Sequence, residues 1–581
     1  MGVLPAKRSP EHENYQKPVI HLARTRRADA GVISGLALVA SLLAATGNTA
    51  AAGLTAAQGL AGAGRPAALT PAVQWGACPA TIPAQFQCAT EPVPLDYRHP
   101  AGQKISLALI RLPASDPSKR IGSLFIDFGG PGGPDVTDLV NRADTVFSPA
   151  IRARFDLVTW DPRGVEYSDP VNCFATDTAD ADYYNAIPVF PYPQSDEPAF
   201  FQVNAQLGRD CLQRSGALLR HVSSADTARD LNVLRRDVGD PKLTYLGFSY
   251  GTVIGATYAN LFPTKVRAMV LDGTLDFVGN ATGHYPGEAA AFPVDVRQGV
   301  DRAGQEVFLD RFLPLCAEAG SACAFSAGGN LRAKWRTLLA RARAGQLSYQ
   351  DLMIFAYYDM EDPIADWPGL ASYLQGLYTS TSAGQALTAG QSSGLAQAAW
   401  RAESQSLMGP QRGAPEPTSA AGASGAAGAP YTDNRADAYY AIQCADSLVP
   451  TSDAVYHHLA ITEDRQVPGF GRLIVYDMMP CASWPAMHTD AYDGPWNRSL
   501  TPILVINAVH DPITPIWGAE AAVRELGNAR LLRVNGDGHT SMFVEPSTCR
   551  DDAELAYLVS QQLPAKGTVC NVDQLPFGLS P

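Results

Sequence analysis

Charged residues are scarce in this chain, and basic ones are scarcer than acidic ones. Of 581 residues, 17% are charged, with 44 Lys and Arg against 57 Asp and Glu and a net charge of −13. No basic stripe breaks that balance, which argues against nucleic acid as a partner. Glycine-spaced phosphate loops are missing too. There is no P-loop and no dinucleotide fingerprint, so no nucleotide cofactor is expected, and no other cofactor is indicated. No Cys-x-x-Cys knuckle occurs, which sets structural zinc aside. There is no internal repeat. No apolar run reaches the roughly 20 residues that a membrane-spanning helix needs.

What is present is apolar bulk: 46% of the residues are hydrophobic. A chain of this length can build one large core plus an inserted domain. Residues 1–52 read as an export signal. Lys7, Arg8, Lys17, Arg24, Arg26 and Arg27 form its basic part, Gly31 to Ala45 its apolar part, and Ala50-Ala51-Ala52 a small-residue cleavage site. Thr25-Arg26-Arg27 leaves a twin-arginine route open. Once the signal is cleaved, no stable membrane span is expected, and the mature protein is read as secreted or held in the cell envelope. All ten cysteines follow that segment, and an even count in an exported chain implies disulfides. Pairing nearest neighbours gives Cys78–Cys88, Cys173–Cys211, Cys316–Cys323, Cys444–Cys481 and Cys549–Cys570. Sequence alone leaves the connectivity open.

Chemistry enters at residues 243–252, Leu-Thr-Tyr-Leu-Gly-Phe-Ser-Tyr-Gly-Thr. A short apolar strand runs into Gly-x-Ser-x-Gly and then into a helical stretch ended by Pro263. This resembles the nucleophile elbow of α/β-hydrolases, where a sharp turn exposes the serine, here Ser249. Gly247 and Gly251 are required because a Cβ at either position would clash where strand and helix pass. The pentapeptide is weak evidence alone, so its context decides. Upstream, the strand-like run Ser123–Phe128 opens into Gly129-Gly130-Pro131-Gly132-Gly133-Pro134. Such a loop supplies one oxyanion N–H and the residue after the nucleophile supplies the other, which assigns Gly130 and Tyr250. A second strand, Phe155–Trp160, ends in Asp161-Pro162-Arg163-Gly164. Asp161 and Arg163 are read as structural.

Two further strands come late. Pro502–Asn507 leads to His510-Asp511, and Arg530–Val534 leads to Gly536-Asp537-Gly538-His539. The order Ser249, Asp511, His539 is that of the α/β-hydrolase triad. Ser249 would attack a carbonyl, His539 would act as base and then acid, and Asp511 would hold the imidazole. Thr514-Pro515 reads as an N-cap and first helical residue that fixes the Asp511 loop. Asp276, just past the strand Val266–Leu271, is a rival for the acid. His510 is read as structural, and His457-His458 as a solvated helix face.

On these residues the chain resembles the tripeptidyl aminopeptidases of filamentous bacteria, which are α/β-hydrolase peptidases related to proline iminopeptidases. The likeness rests on Gly-Gly-Pro-Gly-Gly at 129–133, Gly-Phe-Ser-Tyr-Gly-Thr at 247–252, His-Asp-Pro-Ile-Thr-Pro at 510–515 and Gly-Asp-Gly-His at 536–539. It extends to Ala441–Asp446, Cys481–Pro485, Ser547–Cys549 and Gly567–Cys570. The resemblance implies secretion, release of short peptides from free N-termini, and a triad at Ser249, Asp511 and His539. Phe128 departs from the His or Pro that related loops often carry, a change that spares a backbone donor. A carboxylic-ester hydrolase with the same triad is the alternative. A catalytically inactive α/β-hydrolase used for binding is a third reading, and one that had no need to keep the triad and the glycine loop.

The organisation follows. An α/β-hydrolase core, a mostly parallel sheet with flanking helices, takes residues 73–276 and 491–581, after a flexible Ala/Gly-rich stretch at 53–72. Between the two parts, residues 277–490 lose the strand rhythm and read as a largely helical cap with a disordered loop at 409–430. Helices are expected near 331–344, 370–378 and 436–448. The cap is rich in Tyr and Asp. Peptides with free N-termini would need an anion at the closed end of the site, and Asp446 and Glu361 are the candidates.

Overall fold

The structure, a computed structural model, describes residues 72–380 and 434–581. The export signal at 1–52, the stretch 53–72 apart from its last residue, and the loop 409–430 lie outside the described residues. Ten strands form one sheet: β1 (Gly76–Ala77), β2 (Gln87–Pro94), β3 (Lys104–Leu112), β4 (Gly122–Asp127), β5 (Phe155–Trp160), β6 (Leu243–Phe248), β7 (Val266–Asp272), β8 (Ile503–His510), β9 (Ala529–Asp537) and β10 (Val569–Asn571). Their order is β1-β2-β3-β5-β4-β6-β7-β8-β9-β10. The first three strands pair antiparallel, as does β3 with β5; from β5 to β10 the neighbours run parallel. Each strand expected from the sequence is present, shifted at its ends by a few residues.

Period-two geometry explains the core. Along β4 to β8, Phe125, Val158, Tyr245, Met269, Leu271 and Val505 point to one face, against Leu231 and Leu234 of the helix Ser224–Asp237 and Val253 and Ala256 of the helix Gly251–Leu261. Their neighbours Leu124, Ile126, Leu157, Leu246, Val270 and Leu504 point to the other, against Leu139 of the helix Asp135–Val146 and Tyr557 of the helix Thr548–Ser560. Strands buried on both faces need near-continuous apolar runs, and β5 and β6 are buried along their whole length with few polar residues.

Between β7 and β8 the described residues are helical or irregular. The expected helices lie at Leu331–Arg343, Trp367–Thr379 and Arg435–Asp446. Arg472 lies in the helix Phe470–Asp477. This insertion has its own hydrophobic core, and that core takes in Phe190 and Phe200 from before the elbow. Glu197 reinforces the junction, accepting from Tyr476 Oη at 2.5 Å and lying 2.6 Å from His457 Nδ1. His457 is therefore paired rather than merely solvated. The helical layer is thus built from two stretches of chain, one of them inside residues 73–276.

All five disulfides join nearest neighbours: Cys78–Cys88, Cys173–Cys211, Cys316–Cys323, Cys444–Cys481 and Cys549–Cys570. Such a set marks a protein that folds in an oxidising compartment, as extracellular and envelope proteins do.

Asp161 and Arg163 have architectural surroundings. Asp161 accepts from the N–H groups of Val136 at 2.9 Å and Tyr167 at 3.2 Å. Arg163 is wholly buried; it grips Asp230 through two bonds of 2.7 Å and donates to the carbonyls of Pro94, Leu95 and His221. Removing the guanidinium would strand a buried carboxylate. Arg163→Met is expected to lower stability by about 3–5 kcal/mol. Urea unfolding of both proteins measures this, and a loss below about 1 kcal/mol would show that the pair carries little.

Candidate active site

β6 ends at Phe248 and the helix begins at Gly251. The turn between them is very tight. A Cβ on Gly247 would stand 2.5 Å from the Gly251 carbonyl oxygen, and one on Gly251 would stand 2.6 Å from the Asp127 carbonyl oxygen. Ser249, at the apex, has φ +50°, a left-handed conformation that costs a non-glycine residue energy and recurs at functional turns. Its N–H bonds the Asp272 carbonyl of β7 at 3.0 Å. The side chain borders a cavity of about 200 Å³.

The glycine loop follows β4. Gly129, at φ +98°, passes so close to the elbow that a Cβ there would lie 2.5 Å from the Phe248 carbonyl oxygen and 3.0 Å from Tyr250 N. Two buried acids hold the loop: Asp127 accepts from Gly129 N at 3.1 Å and Asp135 from Phe128 N at 2.9 Å. Gly130 borders the same cavity as Ser249. Among the described residues, neither the Gly130 N–H nor the Tyr250 N–H has a protein acceptor.

Across the cavity, β8 and β9 slip in register between Ala508 and His510, just before Asp511. A bulge of this kind re-aims the side chains beside it. Asp511 Oδ1 accepts from Ile513 N at 2.9 Å and Thr514 N at 2.8 Å, and Oδ2 accepts from Thr514 Oγ1 at 2.7 Å. Both carboxylate oxygens lie 3.0–3.1 Å from His539 Nδ1, and Thr514 Oγ1 lies 3.2 Å from the same nitrogen. His539 lines the cavity with Ser249. Its backbone N–H donates to the Glu361 carbonyl at 2.8 Å. Asp276 is elsewhere: it caps the helix Phe277–Ala281 through Gly279 N at 2.6 Å and pairs with His284 Nε2 at 2.8 Å. Thr514 was expected to cap a helix; it serves the acid of this pair instead, and the helix begins at Ile516.

Burial opposes a charge on His539. Asp511, through its charge and hydrogen bond, and Glu361 outweigh that effect, so the imidazole pKa lies above its ordinary 6.5. His510 moves the other way, lowered by burial.

The two candidate amine-binding acids part company. Asp446 does not border the cavity. It is buried behind the elbow, where its carboxylate accepts from Ser224 N at 2.9 and 3.1 Å, Ser224 Oγ at 2.5 Å and Tyr250 Oη at 2.7 Å. With its oxygens so occupied, it cannot meet a substrate amine, and that expectation is corrected. Glu361 does border the cavity, and its buried Oε2 has no hydrogen-bond partner. Burial pushes its pKa up to about 8.

Further acids stand there that sequence reasoning passed over. Asp138, Asp295 and Asp477 line the cavity with Glu361, against one guanidinium, Arg435. Asp295 and Asp477 are close neighbours, and burial raises the pKa of both above the ordinary carboxylate value. Burial and the neighbouring Asp477 keep Asp295 protonated well above the carboxylate range. Tyr439 Oη donates to Asp477 at 3.1 Å. A signal existed: each is a single acid within an apolar run, Pro293-Val294-Asp295-Val296 and Ile474-Val475-Tyr476-Asp477-Met478. Acids are seldom buried without a partner or a task.

Among the described residues, two clusters elsewhere have metal-ligand residue types, His221/Asp226/Asp490 and Asp276/His284/Glu525. Arginines already flank the first, with Arg163 3.8 Å from Asp226 and Arg98 3.4 Å from Asp490. In the second, backbone N–H groups take up Asp276 and Glu525. Neither touches the cavity.

A serine elbow at the centre of a mostly parallel sheet, with Asp and His past the ends of β8 and β9, defines a hydrolase of the α/β-hydrolase class. Comparison with known proteins agrees. Residues 129–315 match the family model described as alpha/beta hydrolase fold, and residues 466–570 that described as TAP-like protein. The serine protease Hip1 of Mycobacterium tuberculosis is 30% identical, covering 86% of this chain and 91% of its own. A tripeptidyl aminopeptidase of Streptomyces lividans is 27% identical, covering 86% of each chain. A protein of M. tuberculosis named carboxylesterase B is 29% identical, covering 86% and 90%. The chain belongs to the TAP-like, tripeptidyl-aminopeptidase family of α/β-hydrolases.

The His539 geometry predicts a titration. By NMR of the imidazole ring protons, His539 should titrate above 6.5 in the native protein. In Asp511→Asn the midpoint should fall, because burial then acts with less opposition. An unchanged midpoint would mean that the Asp511 carboxylate does not set the charge of the ring.

Proposed function

We propose that the protein is an exported serine exopeptidase that cleaves short peptides from free N-termini. The observation that carries this reading is the acid-lined cavity beside Ser249, a pocket suited to the cationic end of a peptide chain. The relatives named tripeptidyl aminopeptidase and serine protease support the peptidase class and the release of three residues.

The chemistry runs as follows. Ser249 Oγ attacks the scissile carbonyl carbon while His539 takes its proton, and Asp511 orients the ring and stabilises the imidazolium. The N–H groups of Gly130 and Tyr250 receive the oxyanion. Each such donor contributes about 3–4 kcal/mol to the transition state. His539 then gives its proton to the leaving amine, and the C–N bond breaks to leave an acyl-enzyme. Water, deprotonated by His539, attacks that ester and regenerates Ser249. The substrate ammonium pairs with Glu361 and the Asp295–Asp477 pair; a positive charge beside Glu361 draws off the proton that burial retains there.

Two measurements test this. A fluorophosphonate probe should label the native protein and not Ser249→Ala, whose kcat should fall by roughly 10⁴–10⁶. Persistent labelling would move the nucleophile elsewhere. For the amine, N-acetylation of a tripeptidyl amide should cut kcat/KM by about 30-fold or more, since losing one partner of a desolvated charge pair costs about 2–5 kcal/mol. Asp477→Asn and Glu361→Gln should each shrink that discrimination. Equal cleavage of free and acetylated peptides would favour an endopeptidase or the ester hydrolysis that the carboxylesterase-named relative suggests.

A further inference from the structure

Asp446 gained no contact with the cavity, yet its carboxylate holds the side chain of the residue that follows the nucleophile. Tyr250 is 2% exposed and Asp446 5% exposed. The Tyr250 phenol donates to Asp446 Oδ2 at 2.7 Å. Ser224, at the first turn of the helix Ser224–Asp237, holds the same carboxylate through its N–H and its hydroxyl. Asp446 closes the helix Arg435–Asp446. Two residues before it, Cys444 is tied to Cys481. One residue further back, Gln443 donates to Asn280 Oδ1 at 3.1 Å. The carboxylate is thus fixed from three elements before it meets the phenol.

The other end of Tyr250 is its backbone N–H, beside Ser249 and under the glycine loop. A tyrosine side chain has two soft torsions, so pinning its hydroxyl restricts how far its own peptide can rotate. That peptide joins a residue at φ +50° to the start of a helix, where no intrahelical bond holds the N–H in place. An oxyanion donor is effective only when its direction is set before the charge develops.

We propose that Asp446 is a positioning residue for the oxyanion hole: by holding the Tyr250 phenol, it aims the Tyr250 N–H at the oxygen that becomes negative during acyl transfer. This rests on Ser249 as the nucleophile. It also makes the inserted helix Arg435–Asp446 part of the catalytic centre, since the orientation of one donor depends on where that helix ends.

Full-length protein and two substrates, a tripeptidyl nitroanilide and nitrophenyl acetate, provide the test. Tyr250→Phe removes only the phenol oxygen. It should lower kcat by about 10–100-fold on both substrates with KM within about 3-fold, a fraction of what deleting an oxyanion donor costs. Affinity for a tripeptide aldehyde, which forms a tetrahedral adduct on Ser249, should fall by the same factor, while affinity for the tripeptide acid product should hold. Asp446→Asn should act in the same direction and add less than about 3-fold in the Tyr250→Phe background, because both changes break one chain of contacts. A merely structural role would lower the melting temperature without separating aldehyde from product affinity. If Tyr250→Phe keeps native kcat and aldehyde affinity, or if the two changes multiply, the inference is overturned. If the native protein shows no Ser249-dependent turnover of either substrate, the acyl-enzyme reading has failed first and takes this inference with it.

Discussion

The close approach of β6 and the helix that follows it, at Gly247 and Gly251, is the constraint on which the rest depends. With no Cβ at either position, β6 and its helix come within contact of backbone on backbone. The chain can then reverse direction in two residues only by taking Ser249 to positive φ. That strain is tolerable because the surroundings over-determine it: Ser249 N is held by β7, Gly129 closes over the turn, and Tyr245 Oη binds the Gly251 carbonyl at 2.8 Å. Parallel order then does the remaining placement. β6, β7, β8 and β9 are consecutive neighbours, so residues just past their ends share one edge of the sheet. Asp511 and His539 need no long-range design beyond standing at those ends, and clefts at carboxyl edges are where open α/β sheets bind ligands.

The inserted segment is anchored to this edge at the points that matter for chemistry. The Glu361 carbonyl takes the His539 N–H. Arg311, in the widened helical turn Phe308–Phe312, grips the fully buried Asp537 at 2.6 and 2.9 Å, two residues before His539. Asp446 holds Tyr250. A cover that could swing freely would have to break charge-assisted bonds in buried surroundings, which is costly. The insertion therefore forms a wall of the site, and it brings three of the four acids that line the cavity, Asp295, Glu361 and Asp477.

Those acids coexist because burial and proximity push their proton affinities apart. Asp138 is pushed up to about 7 and Glu361 to about 8, in both cases by burial first. Asp295 is raised well above the carboxylate range by burial and by the neighbouring Asp477, and burial raises Asp477 as well. An empty anionic pocket thus carries less charge near neutrality than its count of carboxyls implies, and a cation entering it restores the charge at the point of contact.

From the sequence alone, the strand runs, the elbow glycines and the order Ser249, Asp511, His539 were legible; of the connectivities left open, nearest-neighbour pairing is the one found. Each is encoded locally: a near-continuous apolar run marks a strand facing two cores, a missing Cβ marks a close approach, and cysteines at most 38 residues apart close short loops. Other features were not legible, because they depend on where distant chain arrives. Asp446 meets Ser224 across 222 residues and Tyr250 across 196, so its carboxylate reads as a free acid until the insertion is packed. Phe190 and Phe200 belong to the second core by position in space, though they precede the elbow in the chain. Asp295 and Asp477 become a pair only when their helices are docked. The sequence by itself determined the sheet and the three residues at its edge, since local sterics and period two suffice for them. Which acids face the cavity and which one supports the elbow was decided by the tertiary structure, because burial and the partners available to a carboxylate exist only after the chain has folded.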